Sequence, residues 1–263
     1  MTRPGGRCAI GVALAALAGA CALPGRAVAQ ETPGVALVAQ PGEVAVLPTD
    51  VINATAPSVS SDGRWVVFGG TVDGPDGPRQ SVFRIDLHTG TREELSPLPD
   101  GARPGNTVHP RLSANGCVVV AITEVAYDLF RDDDRGSRWD VYRLLVPECG
   151  GQPNAWELVS ADAAGVARDD VFSDQPPSLS ASGAVVAYVH QSDVTSNRLA
   201  TISVVDVTVP IDDPTRTQEV RGMPIEAPNR AYRYRGAYEP VLSQNGRHLA
   251  FTSDATAHEL LPG

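Results

Sequence analysis

Four stretches of this 263-residue chain align without a gap: Pro57–Phe68, Pro110–Ala121, Pro177–Tyr188 and Pro240–Phe251. Each runs proline, any residue, an apolar residue, serine, any residue, a small polar residue and glycine, and then turns mostly apolar. The serine recurs as Ser60, Ser113, Ser180 and Ser243, and the glycine as Gly63, Gly116, Gly183 and Gly246. Successive prolines lie 53, 67 and 63 residues apart. Self-similarity at such a period marks units that bury their apolar sides only by stacking on their neighbours.

The local chemistry of the repeat is that of a β-hairpin. Asp62-Gly63, Asn115-Gly116, Ser182-Gly183 and Asn245-Gly246 are tight-turn pairs, because glycine tolerates positive φ and the polar side chain before it bonds the turn backbone. One apolar residue precedes each turn (Val59, Leu112, Leu179, Leu242) and an apolar run such as Trp65-Val66-Val67-Phe68 follows. An unbroken run suits an inner strand covered on both faces. The recurring serine is assigned to turn backbone; as a nucleophile it would have to act four times with no base beside it. Third strands are expected at 81–86, 140–145 and 201–206, and fourth strands at 92–95, 156–159 and 218–220. Four short strands per unit, packed face to face, make the chain an all-β β-propeller with three full blades and a fourth partial one.

The pattern resembles the WD40-like PD40 repeats of the TolB-type β-propeller family, exported bacterial versions in particular, over about residues 35 to 263. Unit two departs with Ala121 at the aromatic position and unit three with Ser182 at the Asp/Asn position, yet both keep the turn glycine. The resemblance implies six or seven blades. Within the chain the repeats divide at about 53–108, 109–175, 176–238 and 239–263. The ring is therefore either part of a larger propeller or four-bladed, closed by strands at 35–38 and 43–47 within the segment 30–52.

Residues 1–29 have the form of an export signal: a basic start to Arg7, an apolar stretch from Cys8 to Leu23, and Ala27-Val28-Ala29 as a cleavage site. The apolar stretch, about 24 Å as a helix at roughly 1.5 Å per residue, falls short of the roughly 30 Å core a membrane span must cross. Ala18-Gly19-Ala20-Cys21 offers a second reading, a lipobox with a lipid anchor at Cys21. Without the leader, the net charge of −10 becomes −13, which repels phosphate backbones and argues against nucleic acid as a partner.

Two cysteines then remain. A hairpin centred near Asp133 opposes positions whose numbers sum to 266, which pairs Cys117 with Cys149 as a disulfide in an oxidising compartment. The loop of that hairpin places Asp132, Asp134 and Asp140 at positions one, three and nine, resembling the calcium loops of some propellers. Gly136 at the fifth position and three arginines argue instead for a solvated charged loop.

There is no Gly-x-Ser-x-Gly, no His-Glu-x-x-His, no phosphate-binding loop and no Gly-x-Gly-x-x-Gly. His88, His109, His190, His248 and His258 are dispersed and read as surface or partly packed residues. The expected function is a non-catalytic extracytoplasmic scaffold binding a protein, peptide or glycan, with no cofactor unless calcium. The alternative is the propeller portion of a prolyl-oligopeptidase-type hydrolase.

Overall fold

The structure is a computed structural model that describes residues 36–40, 43–46, 52–74, 77–99, 104–127, 139–153, 155–162, 165–168, 170–192, 199–221 and 235–253. The leader, Cys21, Asp132, Asp134 and His258 lie outside the described residues. No described helix is long and apolar enough to cross a membrane.

Two short strands come first, β1 (Ala36–Gln40) and β2 (Glu43–Val46), and they pair with each other in a separate two-stranded sheet. The repeats follow. β3 (Ile52–Val59), β4 (Trp65–Gly74), β5 (Gly77–Asp86) and β6 (Arg92–Glu94) form one antiparallel sheet in chain order. β7 (Thr107–Leu112), β8 (Val118–Thr123), β9 (Asp140–Leu145) and β10 (Trp156–Leu158) form the next. β11 (Ser178–Leu179), β12 (Val185–Ser192), β13 (Leu199–Asp206) and β14 (Thr217–Arg221) repeat the order a third time. β15 (Arg235–Leu242) and β16 (Leu249–Ser253) are the inner strands of a fourth unit.

The apolar core lies between these sheets. One cluster joins Val67 and Val82 of the first sheet to Leu112, Val119 and Tyr142 of the second. A second joins Val118, Val120 and Val141 to Val186, Tyr188 and Val205 of the third, and a third joins Val189 and Ile202 to Ala237 and Leu242 of the fourth. Each large apolar side chain contributes about 1.5–3 kcal/mol on burial; these three clusters sit in seams between units, and a smaller one of Phe68, Phe83 and Ile85 lies within the first. The units are the blades of a β-propeller.

Three features depart from expectation. Among the described residues β1 and β2 pair only with each other, so no pairing supports the alternative of a ring closed by 35–38 and 43–47. A two-residue link makes their mutual pairing local, which costs far less chain entropy than pairing across the length of the protein. The third and fourth sheets are not separate: Leu199 and Ala200 pair in parallel with Arg235 and Gly236. Gly236 permits this, since a Cβ there would stand 2.1 Å from the Ala200 carbonyl oxygen.

The first strands are also bulged. The residue before the repeat proline is left-handed at Ala56 (φ 48°), His109 (φ 52°) and Glu239 (φ 54°), and the pairing register shifts at each. Unit three has Pro176 at that position, where the pyrrolidine ring forbids positive φ. Its first strand is accordingly only two residues long.

Candidate functional site

The four repeat turns share one geometry. Gly63, Gly116, Gly183 and Gly246 have φ between 70° and 74°, and each N–H donates to the carbonyl of its repeat serine at 2.9–3.0 Å. Each serine Oγ accepts the N–H that opens the next strand, from Trp65, Val118, Val185 and His248, at 2.8–3.0 Å. The residue before each glycine accepts a second N–H at 3.0–3.3 Å: Arg64 to Asp62, Cys117 to Asn115, Ala184 to Ser182, Arg247 to Asn245. The serine hydroxyls are thus engaged within their own turns, as Ser60, Ser113 and Ser243 also donate to Asp62, Asn115 and Asn245.

The turns also connect the blades. Ser61 N–H donates to the Ala114 carbonyl (2.7 Å), Ala114 N–H to the Ala181 carbonyl (3.0 Å), and Ala181 N–H to the Gln244 carbonyl (2.8 Å). These are one repeat position in four successive units. In units two to four the glycine two residues later leaves no room for a side chain against the preceding blade. A Cβ on Gly116 would lie 2.7 Å from Trp65, on Gly183 2.5 Å from Val118, and on Gly246 2.9 Å from Val185; on Gly63 it would meet nothing within 4 Å.

Cys117 and Cys149 are joined in a disulfide, with their Cα atoms 5.6 Å apart. The hairpin register is not the one expected. Val118 faces Leu145 and Thr123 faces Asp140, so opposed numbers sum to 263 and Cys117 stands level with Val146. A 3-10 turn at Pro147–Cys149 folds the chain back and returns the second sulfur to the first. The same turn carries Glu148, which bonds Arg84 of blade one at 2.6 Å. Arg84 is 1% exposed, pairs also with Glu93 and lies 4.2 Å over the Trp65 ring. Its hydrogen bond, with its charge adding to it, holds the Glu148 carboxyl below the usual carboxylate range.

An Arg–Glu cross-strand pair recurs in blade two as Arg143–Glu157. Ser96 and Ser160 likewise both accept an N–H from the third strand, from Val82 and Val141. Sequence reasoning missed this second repeat, although Glu93-Glu94-Leu95-Ser96 and Glu157-Leu158-Val159-Ser160 carry its signal.

Asp140, the one described residue of the candidate calcium loop Asp132–Asp134–Asp140, is 4% exposed and accepts the Ser160 hydroxyl at 2.7 Å. With that oxygen engaged inside the blade, EDTA is expected to leave the melting temperature unchanged. A fall in that temperature would restore calcium as the loop's partner.

His190 is not a surface or partly packed residue but is 1% exposed. Its Nδ1 lies 3.3 Å from Asp170, which is 3.4 Å from Arg168, which is 3.5 Å from Glu219. Backbone bonds from Gln191 N–H to Asp170 (2.7 Å) and from Phe172 N–H to Val189 (3.1 Å) fasten this connection onto blade three. Among the described residues His190 Nε2, Tyr188 Oη and Ser203 Oγ have no hydrogen-bond partner. Burial pushes the Tyr188 hydroxyl pKa up. The cluster ties the connection through Asp170 to β12 and β14.

An open concavity lies elsewhere, at the end of the stack formed by the β4–β5 turn and the connection into β7. It is a cavity of about 150 Å³ lined by Gly74, Gly77, Arg79, Gly105, Asn106 and Glu124, with Pro78, Leu98 and Pro104. Its polar walls are fixed from behind. Arg79 pairs with Glu94 and bonds the Ser96 carbonyl at 3.1 Å. Glu124 accepts the Asn106 backbone N–H (3.1 Å) and side-chain amide (2.9 Å), while Asn106 Oδ1 accepts Gln80 N–H at 2.9 Å. No serine, threonine, cysteine or histidine is among the lining residues. The cavity offers preorganised hydrogen-bonding walls of nearly balanced charge, suited to recognition.

No protein-family pattern matches the chain, and no curated protein matches it. Solved structures do resemble it. TolB from Acinetobacter baumannii is 17% identical, over 81% of this chain and 46% of that one, with a TM-score of 0.42. The β-propeller domain of the trilobed protease from Pyrococcus furiosus is 9% identical, over 80% and 57%, at 0.41. The tricorn protease is 12% identical, over 81% and 21%, at 0.44. The chain thus spans from about a fifth to just over half of their lengths. The likeness concerns architecture, and the blade assignment rests on the strand pairing above.

Proposed function

We propose that this chain is a non-catalytic, extracytoplasmic propeller scaffold that binds a protein, peptide or glycan at the end of the stack carrying the Arg79–Asn106–Glu124 cavity. The cavity carries the reading. Its walls come from two blades and are held rigid by internal bonds, so a ligand meets ordered donors and acceptors without paying to arrange them. The disulfide supports a location outside the reducing cytosol.

Filling the cavity from its exposed rim tests the reading. Pro104→Trp is expected to weaken saturable capture of a partner from envelope extract at least about tenfold. His88→Trp, in the exposed turn at the opposite end, is expected to leave capture unchanged. If the unaltered protein captures nothing saturably, or both variants behave alike, the cavity is not the recognition site.

A further inference from the structure

The seams follow a rule that one seam breaks. In the residue after the repeat proline, Ser58 of blade one accepts the backbone N–H of Leu112 in blade two at 3.0 Å. Ser178 of blade three accepts that of Leu242 in blade four in the same way, at 2.9 Å. The acceptor is needed because this first-strand N–H points away from its own hairpin. Ser180 N–H bonds Val185, one position on, so Leu179 faces Val186 at a site where the two strands exchange no hydrogen bond.

Between blades two and three the residue in the serine's place is Arg111. A guanidinium is a donor only, so the side chain at this position cannot accept from Leu179 N–H as Ser58 and Ser178 accept from Leu112 and Leu242. Arg111 itself is half-buried, and its one bond among the described residues is a 3.4 Å contact with the Pro110 carbonyl. Among the described residues no carboxylate pairs with it, although acidic groups far outnumber basic ones in this chain. Half-buried His109 stands two residues before it on the same strand. Burial, and then the Arg111 charge, hold the His109 imidazole below its ordinary pKa, and burial lowers that of Arg111.

We propose that the inner seam of blades two and three is an anion site, in which a carboxylate-type oxyanion accepts from Arg111 and from Leu179 N–H where the other seams have a serine oxygen. A planar two-oxygen anion matches a guanidinium fork with a neighbouring amide. The group can arrive on a peptide, as a side chain or C-terminus, or as a free small anion. The site is independent of the cavity at Arg79, so either can fail without the other.

The test is an NMR titration of the full chain, following the Leu179 amide with acetate, inorganic phosphate, and N-acetyl-trialanine carrying either a free carboxylate or a carboxamide. The Leu179 resonance is expected to move saturably with acetate and with the free-acid peptide, and not with the carboxamide. A free-acid peptide acting at tenfold lower concentration than acetate assigns the group to a peptide; equal potency of acetate or phosphate assigns it to a free anion. Arg111→Gln is expected to weaken the response at least tenfold. Arg111→Ser restores the seam serine, so it should remove anion binding and slow Leu179 exchange without any ligand. A Leu179 amide that ignores every anion, or responds equally in R111Q, overturns the proposal.

Discussion

Gly183→Ala is expected to cost roughly 3–5 kcal/mol of stability, while the same change at Gly63 costs about 1 kcal/mol. Both glycines hold the same turn, with φ of 74° and 72°, so the strain of placing a side chain in the left-handed region is common to the two. The difference is the neighbour. A Cβ on Gly183 would stand 2.5, 2.7 and 2.8 Å from three atoms of the Val118 side chain, and that residue is itself 5% exposed within the seam of blades two and three. Nothing there can yield without separating the sheets. Gly63 faces open space. Gly116→Ala should resemble Gly183→Ala, since Trp65 at 2.7 Å is stacked under Arg84 and cannot swing away. Urea midpoints of the three variants measure this directly. Equal losses at Gly63 and Gly183 would mean that the glycines serve the turns alone.

Removing the disulfide is the second large effect. Cys117 and Cys149 are 32 residues apart, a closed loop worth about 3–4 kcal/mol in chain entropy. The bond also holds the 3-10 turn that presents Glu148 to Arg84 across the seam of blades one and two. The double variant Cys117→Ser with Cys149→Ser is therefore expected to melt roughly 10 °C lower. Full reduction with a dithiol should reproduce the shift in the unaltered protein. A shift of a degree or less by both routes would show that the turn stays in place without the bond.

The turns and the strand order were legible because their signals are local. Asn115-Gly116 states a positive φ and a side-chain acceptor within two residues, and the apolar runs state which strands are inner. Register is not local. The expected sum of 266 for the β8–β9 hairpin is 263 in the structure, because composition does not say where a turn places its strands. The cysteines still meet, since three residues of 3-10 helix make up the offset. His190 was misjudged for a related reason: what covers it is the connection through Asp170, whose path is set by backbone bonds and not by any pattern in the sequence. The Arg84–Glu93 and Arg143–Glu157 pairs were readable in principle, as the Glu-x-apolar-Ser repeat, but only once the third and fourth strands are in register. The cavity was not readable at all, because Gly74 and Arg79 meet Asn106 and Glu124 only when two blades stack.

The stacked blades are bonded to one another through one repeat position, and amide hydrogen exchange reads that position directly. Ser61, Ala114 and Ala181 each donate to the next blade, whereas Gln244 N–H has no acceptor among the described residues. The first three amides are expected to exchange slowly and together, and Gln244 at close to the rate of an open peptide. Exchange of Ser61, Ala114 and Ala181 as fast as Gln244 would contradict the stacked-blade architecture itself.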